Sequence, residues 1–390
     1  MKKIAFFISS LNIGGIEKAL LSMISKMDLK ENKIYVYTIK KEGALLKEIL
    51  KYAEVREIPM LKETILYDLR KTLKEDLLKF KMNKVLKMVT GKIKKLITKK
   101  DENFNILKMK PLDEKFDIAV AYQVPISPIT VYVAEKVNST KKVLWVHSDI
   151  AGLENLKQKQ YEQYIEKYNK VFTVADKCKK SFLESFPTMK EKTENFYNLI
   201  PKEDIVQKSK DKQKEEYAED YFNIVTVARL TPGKGYEIAL LILKELIKRE
   251  CKVRWYGIGT GELKEYLEAE IIRNNLAENF ILLGEKENPY PYVKNANVYV
   301  QISEKEGYSI SIAEAICLNK IVISTNIPVM QENIINNKTG FIVSENVEEI
   351  TNILEKLIKD KEFYNKINKN IIEAKININF DKELKKLKEL

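Results

Sequence analysis

Short runs rich in β-branched and aromatic residues alternate with helical patterns along this chain of 390 residues, in two series divided by a charged stretch. The first series is Ile4–Ser9, Ile34–Thr38, Val55–Ile58, Phe116–Tyr122, Lys142–Val146 and Val171–Val174. The second is Phe222–Ala228, Lys252–Tyr256, Phe280–Leu283, Val298–Ile302, Ile321–Ser324 and Gly340–Val343. Strand and helix in strict alternation predict parallel sheets covered by helices on both faces. A chain of this length is too long for one core, and each series is long enough for a doubly wound domain of its own. The expected plan is therefore α/β. It has an N-terminal Rossmann-like domain over 1–200, a linker over 201–219, a C-terminal Rossmann-like domain over 220–375, and a helix over 376–390 that crosses back to the first domain. Two such domains are expected to face a central cleft, with their strand ends toward the ligand.

Composition narrows the class. A hydrophobic fraction of 45% and a charged fraction of 32% describe a soluble globular protein. The net charge of +12 favours polyanions, an anionic membrane face or phosphorylated substrates. Cys178, Cys251 and Cys317 are scattered and odd in number, which suits a reducing cytoplasm rather than a disulfide framework. The N-terminal Lys2-Lys3 and the apolar residues after it imitate a signal peptide. The apolar core is short and no small-residue cleavage site follows, so a buried first strand is the better reading. No apolar stretch approaches the roughly 20 residues that a membrane-spanning helix needs.

Much of the charge sits in one helical insertion over 67–100. Residues 70–100 hold one Arg and eleven Lys against Glu75 and Asp76, a charge of +10. Leu69, Leu73, Leu77 and Phe80 recur at helical spacing, as do Leu78, Met82, Val85, Val89, Ile93 and Leu96. A packed helix with a solvated lysine face and a basic surface docking on anionic lipid headgroups both fit this pattern. Nucleic acid is disfavoured, because no aromatic residues are interleaved and no binding motif is present.

Several short motifs carry candidate chemistry. Glu306-Gly307-Tyr308-Ser309-Ile310-Ser311-Ile312-Ala313-Glu314 follows an apolar run and leads into a helical pattern. Free backbone N–H groups and the positive end of a helix dipole in such a loop suit phosphate or sugar oxygens. Two carboxylates there need hydroxyl partners, which a nucleotide sugar supplies on either side of its diphosphate; a solvated loop with an acidic helix start is the plainer alternative. Arg229 and Lys234 flank the turn Pro232-Gly233 at the end of a strand, a pair of cations fit for a diphosphate or an incidental surface turn. Tyr256-Gly257-Ile258-Gly259-Thr260-Gly261 is a glycine-rich turn without a P-loop lysine, which speaks against NTP hydrolysis. Gly14-Gly15 after the first strand is a similar permissive loop opening a helix. His147, the sole histidine, ends a strand in Trp145-Val146-His147-Ser148-Asp149; it is either a structural residue or a cleft residue, and it cannot be half of a histidine metal site.

Taken together, these residues resemble glycosyltransferase family 4, the large retaining family with the GT-B fold. The resemblance rests on Gly14-Gly15-Ile16-Glu17, Tyr197-Asn198-Leu199-Ile200-Pro201, Arg229 with Lys234-Gly235, Gly257-Ile258-Gly259-Thr260-Gly261, Leu282-Leu283-Gly284 and the E-x(7)-E element Glu306–Glu314. It implies a nucleotide-diphosphate-sugar donor held mainly by the C-terminal domain. Arg229 and Lys234 would bind the diphosphate and stabilise the leaving charge. Glu314 would accept from the ribose and Glu306 from the donor sugar. Gly307, Tyr308, Ser309, Ile310 and Ser311 would complete the sugar and phosphate contacts, with Leu283 and Gly284 beside the base. Gly14, Gly15 and Gly257 would approach the donor, and His147 would lie near the transferred sugar.

The resemblance further implies a metal-independent reaction with no cofactor and a hydroxyl acceptor on a glycan or lipid-linked glycan. The expected setting is bacterial surface polysaccharide synthesis in the cytoplasm, peripheral to the inner membrane face through residues 70–100. Two departures stand out: Tyr308-Ser309 where many members have Phe-Gly, and Asn297 where Asp is frequent. A non-catalytic polyanion- or membrane-binding protein and a nucleotide-sugar epimerase of the same fold are the competing readings.

Overall fold

In the computed structural model, which describes residues 1–59, 106–107, 109–151, 155–215, 217–304, 306–374 and 381–389, all twelve β-rich runs are strands. The chain divides into two compact units: Met1–Thr173 with Lys179–Asn195 and Leu387–Leu390, and Val174–Cys178 with Phe196–Lys386.

The first unit holds β1 (Lys2–Phe7), β2 (Asn32–Thr38), β3 (Glu54–Glu57), β4 (Lys115–Tyr122), β5 (Asn138–Val146), β6 (Lys170–Thr173) and β7 (Thr193–Asn195). They pair in parallel in the order β3-β2-β1-β4-β5-β6-β7. The central strands read as near-continuous apolar runs because helices cover both faces; Ile4, Ala5, Phe6 and Phe7 are all buried. The edge strand β7 has no counterpart in the sequence reading. It spans three residues, all of them polar, and pairs on one side only, so it leaves no period-2 apolar signal.

The second unit holds β8 (Phe222–Val227), β9 (Val253–Ile258), β10 (Phe280–Gly284), β11 (Val298–Gln301), β12 (Ile321–Thr325) and β13 (Phe341–Val343), in the order β10-β9-β8-β11-β12-β13. All five pairings are parallel. Strand order reverses between β8 and β11 here, and between β1 and β4 in the first unit. Ligands of open α/β sheets bind at the carboxyl ends of strands beside such a reversal. The loop after β8 carries Arg229 and Lys234, and the loop after β11 carries Glu306 and leads into the helix that holds Glu314.

The charged stretch 201–219 suggests a linker by composition, but it opens with the helix Lys202–Lys208. Glu203 and Asp204 in its first turn and Lys208 in its last complement the helix dipole, and Ile205 is fully buried. One buried side chain in a short charged helix is too little periodicity to read from sequence. The C-terminal segment forms the helix Asp381–Glu389. The basic insertion 67–100 lies outside the described residues. Among the described residues no helix is long and apolar enough to cross a membrane.

Candidate functional site

In the second unit the loop after β8 bends through two left-handed glycines, Gly233 (φ 78°) and Gly235 (φ 77°). A Cβ on Gly235 would stand 2.0 Å from the Ile302 carbonyl oxygen, so only glycine lets this loop lie against the end of β11. The Glu304 N–H donates to the Gly233 carbonyl at 3.0 Å and ties the two loops together. That approach brings Lys234 Nζ to 2.6 Å from Glu306 Oε1, with both side chains largely buried. Arg229, one residue past the β8 extension, is exposed, and its guanidinium makes no hydrogen bond or ion pair among the described residues. One cation is thus paired and the other is open to an anion.

Glu306 is the centre of a polar network. Its Oε1 accepts from Lys234, from Gln301 Nε2 at 2.9 Å and from Ser303 Oγ at 2.9 Å. Gln301, the last residue of β11, is buried and also donates to Ser303 Oγ at 3.1 Å and Ser309 Oγ at 3.3 Å. Its own carbonyl accepts from Tyr299 OH at 2.6 Å and Ser311 Oγ at 3.0 Å.

The loop between the two glutamates is held from below. The Gly307 carbonyl accepts from Cys178 Sγ at 3.7 Å, and the buried Tyr308 ring lies 6.5 Å from that of Tyr197. Ser309 then turns the chain in the left-handed region, φ 67° and ψ 83°, as the N-cap of the helix Ile310–Cys317. A side chain in that conformation costs on the order of 1–2 kcal/mol. This gives the Phe-Gly to Tyr-Ser departure a physical meaning: the backbone here is the kind glycine adopts freely. The Ser309 hydroxyl on Gln301 offsets part of the strain. Glu314 sits one turn into the helix, buried, and accepts from Tyr290 OH at 2.8 Å. Burial, followed by the adjoining Glu314 carboxylate, pushes the Tyr290 hydroxyl well above its usual range. Tyr290 belongs to the short helix Tyr290–Asn295, whose last carbonyls at Lys294 and Ala296 accept from Lys320 Nζ at 2.7 Å each.

The remaining glycines divide by role. Gly257 lies inside β9, where a Cβ would come 2.9 Å from Leu282 Cδ2 and 3.2 Å from Tyr236 Cε1, so its bareness serves the packing of the sheet. Gly259 (φ 149°) makes the turn, and a Cβ there would meet the Ala228 carbonyl oxygen at 2.0 Å. At the end of β10, Gly284 (φ 70°) has open space around its Cα, and its carbonyl accepts from the Gly259 N–H at 2.9 Å; Leu283 beside it is half-buried.

In the first unit Gly14 is the extended N-cap of the helix Gly15–Ile24, and its Cα faces the carboxylate of Glu17: a Cβ would stand 2.3 Å from Glu17 Oε2. Glu17 Oε1 also accepts from Ser10 Oγ at 3.0 Å. The acid folds back over the Gly14-Gly15 loop that the sequence assigns to a phosphate. At the end of β4, Gln123 Nε2 donates to Ser9 Oγ at 3.2 Å, while its Oε1 is buried without a partner among the described residues. His147, just past β5, is 7% exposed, sets its ring 4.3 Å from that of Tyr122, and has no partner for Nε2 among the described residues. Burial pushes its pKa down to about 3, so the imidazole is neutral.

Gln301, Ser303, Tyr290 and Gln123 escaped the sequence reading. The one available signal was a glutamine ending an otherwise apolar strand. Among the described residues no group of three His, Cys, Asp or Glu side chains is placed to hold a metal ion.

The stretch 207–374 matches the family model described as glycosyl transferases group 1. Over that stretch the chain is similar to the group 1 glycosyl transferases. An uncharacterized glycosyltransferase of Methanocaldococcus jannaschii is 30% identical over 200 residues, 48% of this chain and 49% of the relative. A 4-alpha-N-acetylgalactosaminyltransferase of Campylobacter jejuni is 31% identical over 145 residues, 37% of this chain and 38% of the relative. Its name specifies N-acetylgalactosamine-N,N'-diacetylbacillosaminyl-diphospho-undecaprenol. The chain thus spans about half or less of the curated relatives it matches. The crystal structure of HepE from Anabaena in complex with UDP and glucose covers 100% of this chain and 99% of its own, with TM-score 0.70 and 16% identity. Together with the sheets of seven and six parallel strands, that likeness identifies the GT-B fold. The matched stretch contains all of the Arg229, Lys234, Glu306 and Glu314 constellation.

Proposed function

We propose that the protein is a retaining, family 4-like glycosyltransferase. It moves a hexose or N-acetylhexosamine from a UDP-sugar to a hydroxyl of a lipid-linked glycan in bacterial surface or capsular polysaccharide synthesis. The observation that carries this reading is the Lys234–Glu306 contact at the reversal between β8 and β11, on loops that also carry the exposed Arg229 and lead into the helix of the buried Glu314. Cations for a diphosphate and carboxylates for hydroxyls are the complement of a nucleotide sugar. The Campylobacter relative, named for a diphospho-undecaprenol acceptor, supports the lipid-linked glycan; HepE, solved with UDP and glucose, supports the base.

In the proposed reaction the acceptor hydroxyl attacks the anomeric carbon on the face from which the diphosphate departs. The bond from that carbon to the phosphate oxygen breaks, and the hydroxyl proton passes to the departing phosphate oxygen. Arg229 and Lys234 stabilise the charge that develops on the leaving diphosphate, so no metal is required. Glu314 binds the ribose and Glu306 binds the sugar. Leu283, Gly284 and the backbone of Gly307 to Ser311 complete the donor contacts. The protein works in the cytoplasm, with residues 70–100 touching the anionic inner membrane face.

The deciding experiment is nucleotide release from a panel of UDP- and GDP-sugars, with and without a chelator and an undecaprenyl-diphosphate-linked acceptor. Turnover of a UDP-sugar, unaffected by chelator, is expected. Failure of every nucleotide sugar to bind would overturn the reading. Binding to vesicles containing anionic lipid, compared with a variant neutralised at Lys92, Lys94 and Lys95, tests the membrane contact.

A further inference from the structure

We infer that Gln301 is a positioning residue that aims the Glu306 carboxylate, and so governs how the sugar part of the donor is held rather than its nucleotide part. The inference rests on the proposed role of Glu306 as acceptor for donor-sugar hydroxyls. A buried strand end at 2% exposure normally carries an apolar residue, since an amide there needs hydrogen-bond partners. Gln301 has them in full. Both lone pairs of its carbonyl are taken, by Tyr299 OH and Ser311 Oγ, and its amide group is shared among Glu306 Oε1, Ser303 Oγ and Ser309 Oγ.

Hydroxyls serve as donors or acceptors, but a carboxylate only accepts. Glu306 therefore dictates which way the amide points: the flipped rotamer would set the Gln301 carbonyl against the carboxylate. The consequence returns to Glu306. Gln301, Ser303 and Lys234 all donate to Oε1, and among the described residues no donor reaches Oε2. One oxygen is held by three donors from two loops, and the other remains for a ligand hydroxyl. Losing the Gln301 donor frees the carboxylate to rotate.

The test compares Gln301→Leu, Gln301→Met and Gln301→Glu with the unmodified protein. The measurements are affinity for UDP alone, and affinity and kcat for whichever of UDP-glucose and UDP-N-acetylglucosamine is turned over. UDP affinity is expected to stay within about twofold, while kcat/KM for the UDP-sugar falls by roughly tenfold or more. Equal losses of UDP and UDP-sugar, or unchanged kinetics, would overturn the inference and leave the transferase reading standing. If the unmodified protein binds no nucleotide sugar, both fall together.

Discussion

The Lys234 ammonium stands 2.6 Å from Oε1 of Glu306, a residue 72 positions further along the chain. Their side chains are only 17% and 13% exposed, so water screens the pair far less than it screens a surface ion pair. The contact couples the loop that would hold the diphosphate to the loop that would hold the sugar. It also divides the two cations of the site into one that is structurally committed and one that is not.

That division predicts different losses. Arg229→Ala and Lys234→Ala should each lower turnover by about a hundredfold or more, as expected for removing a group that stabilises the leaving charge. Only Lys234→Ala should also lower the melting temperature, because it strips a charged partner from Glu306, a change worth about 1–3 kcal/mol. Calorimetry beside initial rates separates them. A turnover loss below about tenfold in either variant contradicts its assigned role.

Ser309 supplies a second prediction through its backbone. Ser309→Gly relieves the left-handed strain but forfeits the hydroxyl on Gln301 and loosens the unfolded chain, so its stability should stay within about 1 kcal/mol of the parent. Ser309→Val keeps the strain, adds a branched Cβ and loses the hydroxyl; it should melt lower than Ser309→Gly by about 2 kcal/mol or more. Equal melting of the two variants would contradict the backbone conformation.

His147 is the only histidine in the chain, which makes its ionisation directly visible by NMR. Burial pushes its pKa down to about 3, so its ring protons should show no titration between pH 5 and 8. The unfolded chain binds a proton near pH 6.5 and the folded one does not. Stability is therefore fully present above pH 6.5 and lost as pH falls toward about 3, at about 1.4 kcal/mol per pH unit for this group. His147→Gln should flatten that part of the acid unfolding curve. A ring that titrates near pH 6.5 would show the side chain to be solvated.

Tyr290 bears on the ribose end of the site. Its hydroxyl donates to Glu314 at 2.8 Å, with both groups buried. Tyr290→Phe should weaken UDP binding by roughly tenfold, in line with a hydrogen bond to a charged group, while kcat at saturating donor changes little. Titration calorimetry with UDP checks this. Unchanged UDP affinity would place Glu314 outside the nucleotide site.

Most of the architecture is legible locally. Val298–Ile302 and its eleven counterparts announce themselves as strands because burial on both faces demands continuous apolar runs. Gly235 and Gly259 mark turns because only they fit beside a neighbouring carbonyl. The E-x(7)-E spacing places one carboxylate before a helix and one a turn inside it. Local pattern fails where an element is short or its purpose is remote. Three-residue β7 and the helix Lys202–Lys208 bury too few side chains to leave a period. Gly257 reads as part of a ligand turn, yet it is a strand residue packed against Leu282 and Tyr236.

By itself, then, the sequence determined two doubly wound sheets, the loops at their carboxyl ends, and the residue types that suit a diphosphate flanked by hydroxyls. Tertiary structure decided which of those residues meet. The parallel order β9-β8-β11-β12 seats β8 beside β11 although β9 and β10 intervene in the chain, and only that adjacency brings Lys234 onto Glu306. The same packing turns Gln301 from a polar residue at a strand end into the hub that holds Glu306, and sets Tyr290 against Glu314 from a different helix. Side-chain periodicity is local and survives in one dimension. Hydrogen bonds between residues tens of positions apart depend on strand order, which the one-dimensional pattern does not encode.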